Sequence, residues 1–209
     1  LGGVLADDMG LGKTLQVLAL VAHARDRGEA APFLVLTPTS VVGAWAAEAA
    51  RHTPGLRVAT VTATRGKRGA TVAEVAADAD VVVTSYTLLR LEQEQYAEVA
   101  WAGVVMDEAQ QVKNHKSQAH KAVRLLRAPF VLAVTGTPFE NRLRELWSLL
   151  AIVAPGLYPT LAGFSRSVAQ PVEREGDAAA LRRFQQRVRP FMLRRTKQLV
   201  AADLPPKQE

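Results

Sequence analysis

The sequence contains no cysteine among its 209 residues. This absence excludes disulfide frameworks, cysteine-ligated zinc sites, iron–sulfur clusters and thiol catalysis. Long apolar runs are also missing, since the longest candidate, residues 147–158, contains Ser148, Pro155 and Gly156 and falls short of the ~18 residues that a membrane span requires. We therefore expect a protein without a membrane partner, and the lack of cysteine is consistent with a reducing cytoplasm.

The charge is distributed unevenly along the chain. There are 26 basic and 20 acidic residues, a net charge of +6. Residues 151–209 hold 10 of the basic and 5 of the acidic residues, so +5 lies in this last stretch and +1 in residues 1–150. The chain begins with Leu rather than Met, and a strand-like run follows at once. We expect it to be a piece of a longer protein.

Short runs rich in Val and Leu alternate with amphipathic stretches along the first two thirds of the chain. The runs predict strands at residues 3–6, 33–37, 57–62, 80–84, 103–106 and 130–134. The stretches between them predict helices at residues 13–25, 41–51, 86–93 and 117–127. Continuous apolar strands that alternate with helices are typical of a parallel sheet buried on both faces. The sequence therefore predicts an α/β fold.

The pattern changes after about Asn141. Leucines at helical spacing follow Leu143, and Pro155-Gly156 ends that helix. Residues 160–200 lack a strand-like run and predict further helices at residues 161–168, 177–188 and 191–201. We therefore expect an α/β lobe in residues 1–150 and a helical protrusion with a linker in residues 151–209.

A glycine-rich turn lies between the first predicted strand and the first predicted helix. Its residues are Asp8, Met9, Gly10, Leu11, Gly12, Lys13 and Thr14. Backbone N–H groups of such a turn and the amino end of the helix bind phosphate oxygens. Lys13 is expected to reach the β- and γ-phosphates of a nucleotide, and the Thr14 hydroxyl to ligate Mg²⁺. Asp7 stands where the general pattern has glycine.

Two adjacent carboxylates, Asp107 and Glu108, follow the fifth predicted strand. Two acids at the end of a buried strand are costly unless a cation compensates them. We expect Asp107 to hold Mg²⁺, and Glu108 to orient or deprotonate an attacking water.

Small and hydroxyl-bearing residues follow other strands. Thr135, Gly136 and Thr137 could sense the state of a neighbouring metal site, and Thr37, Pro38, Ser85 and Tyr86 could contact a sugar–phosphate backbone. Each segment taken alone is also typical of a turn or helix cap. The histidines, including His115 and His120, form no metal-ligand set and are expected at the surface, and residues 65–68 are expected to form a solvated basic loop.

Together these segments resemble helicase superfamily two, and more narrowly the SWI/SNF-type DNA-dependent ATPases. Three longer stretches, residues 140–149, 190–197 and 203–207, add to the resemblance, which covers essentially the whole chain. The family has Asp where this chain has Asp7, and many members have His where it has Gln110. The resemblance implies a RecA-like P-loop ATPase lobe that uses ATP and Mg²⁺. It assigns catalysis to Lys13, Asp107 and Glu108, metal binding to Thr14 and Asp107, and coupling between lobes to Gln110, Thr135, Gly136 and Thr137.

The resemblance also implies a function, namely an ATP-driven, monomeric translocase on double-stranded DNA that remodels protein–DNA complexes. We expect it in the cytoplasm, associated with the nucleoid if the source is bacterial. The family's adenine-reading segment and second lobe would lie outside residues 1–209, so this piece is expected to bind nucleotide weakly and to hydrolyse ATP negligibly. Alternatives are an RNA-directed or strand-separating helicase, which would lack the 190–197 stretch, and a non-catalytic nucleotide-gated scaffold, which would have no reason to keep Lys13, Thr14, Asp107 and Glu108.

Overall fold

The computed structural model describes residues 2–136 and 143–200. In this part of the chain, parallel strands form one seven-stranded sheet in the order β3-β4-β2-β5-β6-β1-β7. The strands are β1 (Gly2–Leu5), β2 (Phe33–Thr37), β3 (Val58–Val61), β4 (Val81–Ser85), β5 (Gly103–Met106), β6 (Val131–Val134) and β7 (Met192–Leu193).

Helices connect the strands and cover both faces of the sheet. They are α1 (Lys13–Asp26), α2 (Val42–His52), α3 (Arg65–Arg68), α4 (Val72–Ala77), α5 (Tyr86–Leu91), α6 (Gln93–Ala97), α7 (Gln118–Leu125), α8 (Leu143–Val153), α9 (Leu161–Phe164), α10 (Gln170–Glu175), α11 (Ala178–Val188) and α12 (Lys197–Val200). A π-helical segment, Ser165–Ala169, joins α9 to α10.

Strand β2 shows how the core is divided. All five of its residues are buried, and Leu34 and Leu36 belong to one apolar cluster while Phe33 and Val35 belong to another. Because successive side chains of a strand point to opposite faces, the two clusters lie on opposite sides of the sheet. Helices α1 and α2 supply the second cluster, and α4 to α11 contribute to the first. The predicted α/β fold with a parallel sheet is confirmed.

The first six strands lie within one residue of their predicted bounds, and β2 and β5 have the bounds predicted. The prediction that residues 160–200 hold no strand is wrong. Residues Met192 and Leu193 form β7, which pairs with Val4 and Leu5 of β1. The helix predicted for residues 191–201 is therefore replaced, within the described residues, by a 3₁₀ turn, β7 and the short helix α12.

The C-terminal helices pack on the same core as the sheet. The rings of Tyr158, Phe164 and Phe184 contact one another and belong to the cluster that contains Leu34 and Val104. The division of the chain at residue 150 remains a prediction. In the structure that position lies inside α8, and β7 returns residues 192–193 to the sheet.

Two expectations about surface residues are wrong. His120 is buried in α7, where its Nδ1 lies 3.1 Å from the Val112 carbonyl oxygen, and its Nε2 has no hydrogen-bond partner among the described residues. Burial lowers the pKa of His120 because it disfavours the charged ring. Residues Arg65–Arg68 form α3 rather than a loop, and Arg68 makes a largely buried ion pair of 3.3 Å with Glu92.

No helix within residues 2–136 and 143–200 is both long and apolar enough to cross a membrane.

Candidate nucleotide site

The parallel sheet places all the predicted site segments at one edge. The phosphate loop follows β1, Thr37 ends β2, Ser85 ends β4, Asp107 follows β5 and Thr135 follows β6. Ligands of open parallel sheets bind beyond the carboxyl ends of the strands, so this edge is the candidate site.

The phosphate loop has the backbone that its glycines permit. Gly10 and Gly12 adopt positive φ values of 85° and 69°, a region that residues with a Cβ rarely enter. Gly12 precedes α1, and in the described part of the chain no side chain caps this helix or places an acidic group in its first turn. The amino end of this 14-residue helix therefore keeps its N–H groups and partial positive charge for an anion.

Lys13 is held by its own loop. Its ammonium group donates hydrogen bonds to the carbonyl oxygens of Asp7 at 2.8 Å and Asp8 at 3.1 Å. The side chain is half-buried, and its charge is directed into the loop. A phosphate group in this loop would meet the ammonium without a long movement of the side chain.

Asp107 is oriented by donors from four other residues. Its Oδ2 accepts hydrogen bonds from the Thr37 hydroxyl at 3.0 Å and from the Trp45 indole N–H at 2.8 Å. Its Oδ1 accepts one from the Glu108 backbone N–H at 3.0 Å. The Tyr86 hydroxyl donates to its backbone carbonyl at 2.8 Å. These contacts fix the carboxylate of Asp107, and Trp45 and Tyr86 are positioning groups that the motif pattern did not reveal in this role.

Glu108 has an unusual backbone. With φ of 48° it is the only non-glycine residue of the described chain in the left-handed region, a conformation that costs about 1–2 kcal/mol. Its Oε2 accepts a hydrogen bond of 2.7 Å from the Gln110 amide, whose Oε1 accepts one of 3.2 Å from the Thr135 hydroxyl. The strained turn and the two hydrogen bonds fix Glu108 relative to the segment after β6.

Gly136 connects that segment to the phosphate loop. A Cβ at this position would lie 2.7 Å from Met9 Cγ and 3.4 Å from Lys13 Nζ. The backbone of Gly136 therefore lies directly against the loop, and Gln110, Thr135 and Gly136 join the acidic pair to it. Thr137, the remaining residue predicted to couple the lobes, lies outside the described residues.

The residues predicted to contact DNA have internal roles in this structure. Thr37, Ser85 and Tyr86 are buried. The hydroxyls of Thr37 and Tyr86 bond to Asp107, and the Ser85 hydroxyl caps α5 by accepting from the Leu88 N–H. Pro38 is half-buried. Their contact with DNA remains a prediction.

The site also has a support that the sequence did not reveal. Asp7 has no exposed side-chain surface and is paired with Arg195, which follows β7, 188 residues away along the chain. Burial alone would raise the pKa of Asp7, but hydrogen bonds from Arg195 and Gln16 outweigh it and keep the pKa below its usual value. Only the pairing of β7 with β1 brings these residues together.

The donors at this edge fit a magnesium ion. Within residues 2–136 and 143–200 no group of three or more His, Asp or Glu side chains could hold a metal. Mg²⁺ characteristically uses only one or two protein oxygens, together with water and substrate phosphates. A carboxylate at Asp107 and a hydroxyl at Thr14 meet that requirement.

Comparisons with known proteins identify the family of this chain. Residues 1–209 match the family model of the SNF2-related domain. A Bacillus subtilis protein named for ATP-dependent helicase/translocase activity, YwqA, is 41% identical over 211 residues, which cover 100% of this chain and 23% of that protein. The human SWI/SNF-related matrix-associated actin-dependent regulator of chromatin subfamily A member 1 is 37% identical over 210 residues, which cover 99% of this chain and 20% of that protein.

A solved structure shares the fold. The Sulfolobus solfataricus SWI2/SNF2 ATPase core in complex with double-stranded DNA superposes with a TM-score of 0.88 at 38% identity, covering 98% of this chain and 42% of that one. The chain thus spans about a fifth of the length of the curated relatives above. The chain therefore belongs to the SNF2-related domain family, as a first RecA-like lobe of the SWI/SNF type within helicase superfamily two.

Proposed function

We propose that this chain is the ATP-binding motor lobe of an ATP-dependent translocase on double-stranded DNA that remodels protein–DNA complexes. The observation that carries the proposal is the continuous path from the phosphate loop through Gly136, Thr135 and Gln110 to Glu108. Such a path allows the state of a bound phosphate to be transmitted to the residue that positions water. The DNA in the Sulfolobus complex supports duplex DNA as the track.

In the proposed reaction, ATP and water give ADP and phosphate. Lys13 and the amino end of α1 bind the β- and γ-phosphates, and Glu108 orients the attacking water and accepts its proton. Magnesium, held by Thr14 and Asp107, would neutralise charge on the phosphates. Gln110, Thr135 and Gly136, together with Thr137, would communicate the change to a second lobe.

Hydrolysis also needs positive charge on the far side of the γ-phosphate. An arginine finger supplies this in related phosphoryl-transfer enzymes and raises the rate roughly 10³–10⁵-fold. We propose that a second lobe of the full-length protein provides it, and that closing and opening of the two lobes moves them along the phosphates of one strand. The protein would act as a monomer in the cytoplasm, associated with the nucleoid in a bacterium.

The proposed role of Glu108 is tested with Glu108→Gln in the full-length protein. The amide keeps the size of the side chain but cannot accept a proton, so ATP binding should be preserved while DNA-stimulated turnover falls by about 10²–10⁴-fold. Binding is measured by titration with a fluorescent ATP analogue and turnover by phosphate release. Normal turnover in this variant would assign water activation to another residue.

The proposed role of Lys13 is tested with Lys13→Ala. Loss of charged hydrogen bonds to the phosphates should weaken nucleotide binding about 10- to 100-fold. Lys67→Ala is the matched control, since it removes an equal charge from an exposed position in α3. If both variants bind ATP as tightly as the unmodified protein does, the phosphate loop assignment is wrong.

Comparing turnover with double-stranded DNA, single-stranded DNA and RNA separates the proposed track from that of an RNA-directed or strand-separating helicase.

A further inference from the structure

The carboxylate of Asp7 is fully buried and held by a fork of donors from Arg195. The Arg195 backbone N–H donates to Oδ1 at 2.9 Å, and the guanidinium donates to Oδ2 through Nε at 3.1 Å and Nη2 at 2.5 Å. Gln16 of α1 donates to the same Oδ2 at 3.3 Å and accepts a hydrogen bond from Arg195 Nη2 at 2.6 Å. Because a buried carboxylate is costly without a paired cation, Asp7 depends on this partner.

The segment around Arg195, residues 193–197, runs beside residues 6–8 at the start of the phosphate loop. The Ala6 N–H donates to the Leu193 carbonyl at 2.7 Å, and the Asp8 N–H donates to the Arg195 carbonyl at 3.1 Å. The Lys197 N–H then donates to Asp8 Oδ2 at 3.0 Å. The hydrogen bonds between β1 and β7 therefore continue past the end of both strands, and they reach the two residues whose carbonyls hold Lys13.

Gln16 connects the Asp7–Arg195 pair to Leu11, a later residue of the phosphate loop. Its amide donates to the Leu11 carbonyl at 2.9 Å as well as to Asp7. The Asp7–Gln16–Arg195 cluster thus contacts the loop on both sides of Gly10. Loss of the Arg195 guanidinium would free the Asp7 side chain. Asp7 is the residue whose carbonyl oxygen accepts from Lys13 Nζ at 2.8 Å.

We propose that Arg195 is a positioning residue of the nucleotide site. It holds Asp7 and Asp8 in place, and the carbonyl oxygens of these two residues orient the Lys13 ammonium. Residues 193–197 thereby control the affinity of the phosphate loop for a nucleoside triphosphate. This proposal rests on the proposed function, because it assigns to Arg195 an effect on the phosphate site described above.

The chain contains a matched pair at the opposite edge of the sheet. Asp80, which precedes β4, is buried and accepts hydrogen bonds from the Arg57 backbone N–H at 2.8 Å and from Arg57 Nε and Nη2 at 3.3 and 2.9 Å. The donors from Arg57 are the same three as those from Arg195, and Asp80 also has a second ion pair, with Arg25 at 2.7 Å. The pair lies at the amino ends of the strands, whereas the phosphate loop lies beyond their carboxyl ends. Arg57→Gln therefore reports the structural cost of breaking such a pair without touching the nucleotide site.

The test compares Arg195→Gln, Arg195→Lys and Arg57→Gln in the full-length protein. The Kd of a fluorescent ATP analogue, the KM for ATP, the DNA-stimulated kcat and the Tm are measured for each. Arg195→Gln should raise Kd and KM about tenfold, with a smaller change in kcat. Its Tm loss should be at least as large as that of Arg57→Gln, because Asp80 keeps its ion pair with Arg25 in the control. Arg195→Lys keeps the charge but not the fork and should give an intermediate Kd.

Different results would overturn the proposal. If Arg195→Gln lowers Tm but leaves Kd and KM within twofold of the unmodified protein, Arg195 is only structural. An equal rise of Kd in Arg57→Gln would show a general effect of instability. If Arg195→Gln does not fold, an unchanged Kd in Arg195→Lys rejects the proposal, and a raised one supports it. Failure of the unmodified protein to bind ATP would instead refute the proposed function.

Discussion

Trp45 shows how a residue outside any catalytic pattern can orient one inside it. Its indole N–H donates to Asp107 Oδ2 at 2.8 Å from 62 positions earlier in the chain. We predict that Trp45→Phe, which keeps an aromatic ring but removes the donor, lowers DNA-stimulated ATP turnover by about 10- to 100-fold, because a hydrogen bond to a charged group contributes about 1.5–3 kcal/mol. Turnover at saturating ATP is the measurement.

Trp101 provides the control for that variant. It is also buried, and its indole N–H donates at 2.8 Å to a backbone carbonyl, that of Tyr96, rather than to a site carboxylate. Trp101→Phe should lower Tm to a similar degree and leave turnover nearly unchanged. Equal losses of turnover in the two variants would mean that Trp45 acts through stability alone.

At the residue scale, the sequence predicted those groups whose chemistry lies in a short local pattern. Lys13, Asp107 and Glu108 belong to this class, and the structure brings their segments to one edge of the sheet. It could not predict Trp45 or Arg195, because their partners are 62 and 188 positions away and are brought close only by tertiary packing. It also misplaced His120, whose burial depends on the packing of α7 rather than on its spacing from other histidines.

At the scale of elements, β5 is the strand that delivers Asp107, and its start is tightly packed. A Cβ on Gly103 would lie 2.8 Å from Phe33 and 3.0 Å from Phe130. We predict that Gly103→Ala destabilises the protein by about 1–3 kcal/mol, since two rings must move in a filled core. Thermal or urea unfolding measures the change.

Gly43 is the matched position, because it lies in α2 and its φ is not positive. A Cβ added there would meet no described atom within 4 Å apart from its chain neighbours and the backbone of its own helix. Gly43→Ala should stabilise the protein by about 0.5–1 kcal/mol through the helix propensity of alanine. Stabilisation by Gly103→Ala as well would show that the two rings yield freely, and the packing argument for β5 would fail.

Elements were predictable in proportion to their length and burial. Strands such as β2, with five buried residues, produce a pattern that can be read without a structure. Strand β7 has only two residues, one half-buried and one exposed, and it is defined by its pairing with β1 rather than by an apolar pattern of its own. The short helices α3 and α4 were missed for a related reason, although the capping box between Thr71 and Glu74 at the start of α4 was a local signal that could have been read.

At the scale of the whole molecule, the proposed function requires a second lobe. The sheet edge places Lys13 and the amino end of α1 on one side of the candidate phosphate position, and the chain spans about a fifth of its curated relatives. Rate enhancement in phosphoryl transfer depends on cationic groups on both sides of the γ-phosphate. The lobe should therefore bind ATP weakly and hydrolyse it negligibly by itself.

We predict that the purified 209-residue chain turns over ATP at least about 10³-fold more slowly than the full-length protein, because the proposed function assigns the arginine finger to a second lobe. Adding double-stranded DNA should not raise this rate, since movement of one lobe against another is what would couple DNA to hydrolysis. Phosphate release is measured with and without DNA, and the same chain carrying Glu108→Gln corrects for contaminating ATPases. Robust DNA-stimulated turnover by the unmodified chain, absent from the Glu108→Gln chain, would show that residues 1–209 contain a complete catalytic site and that no second lobe is required.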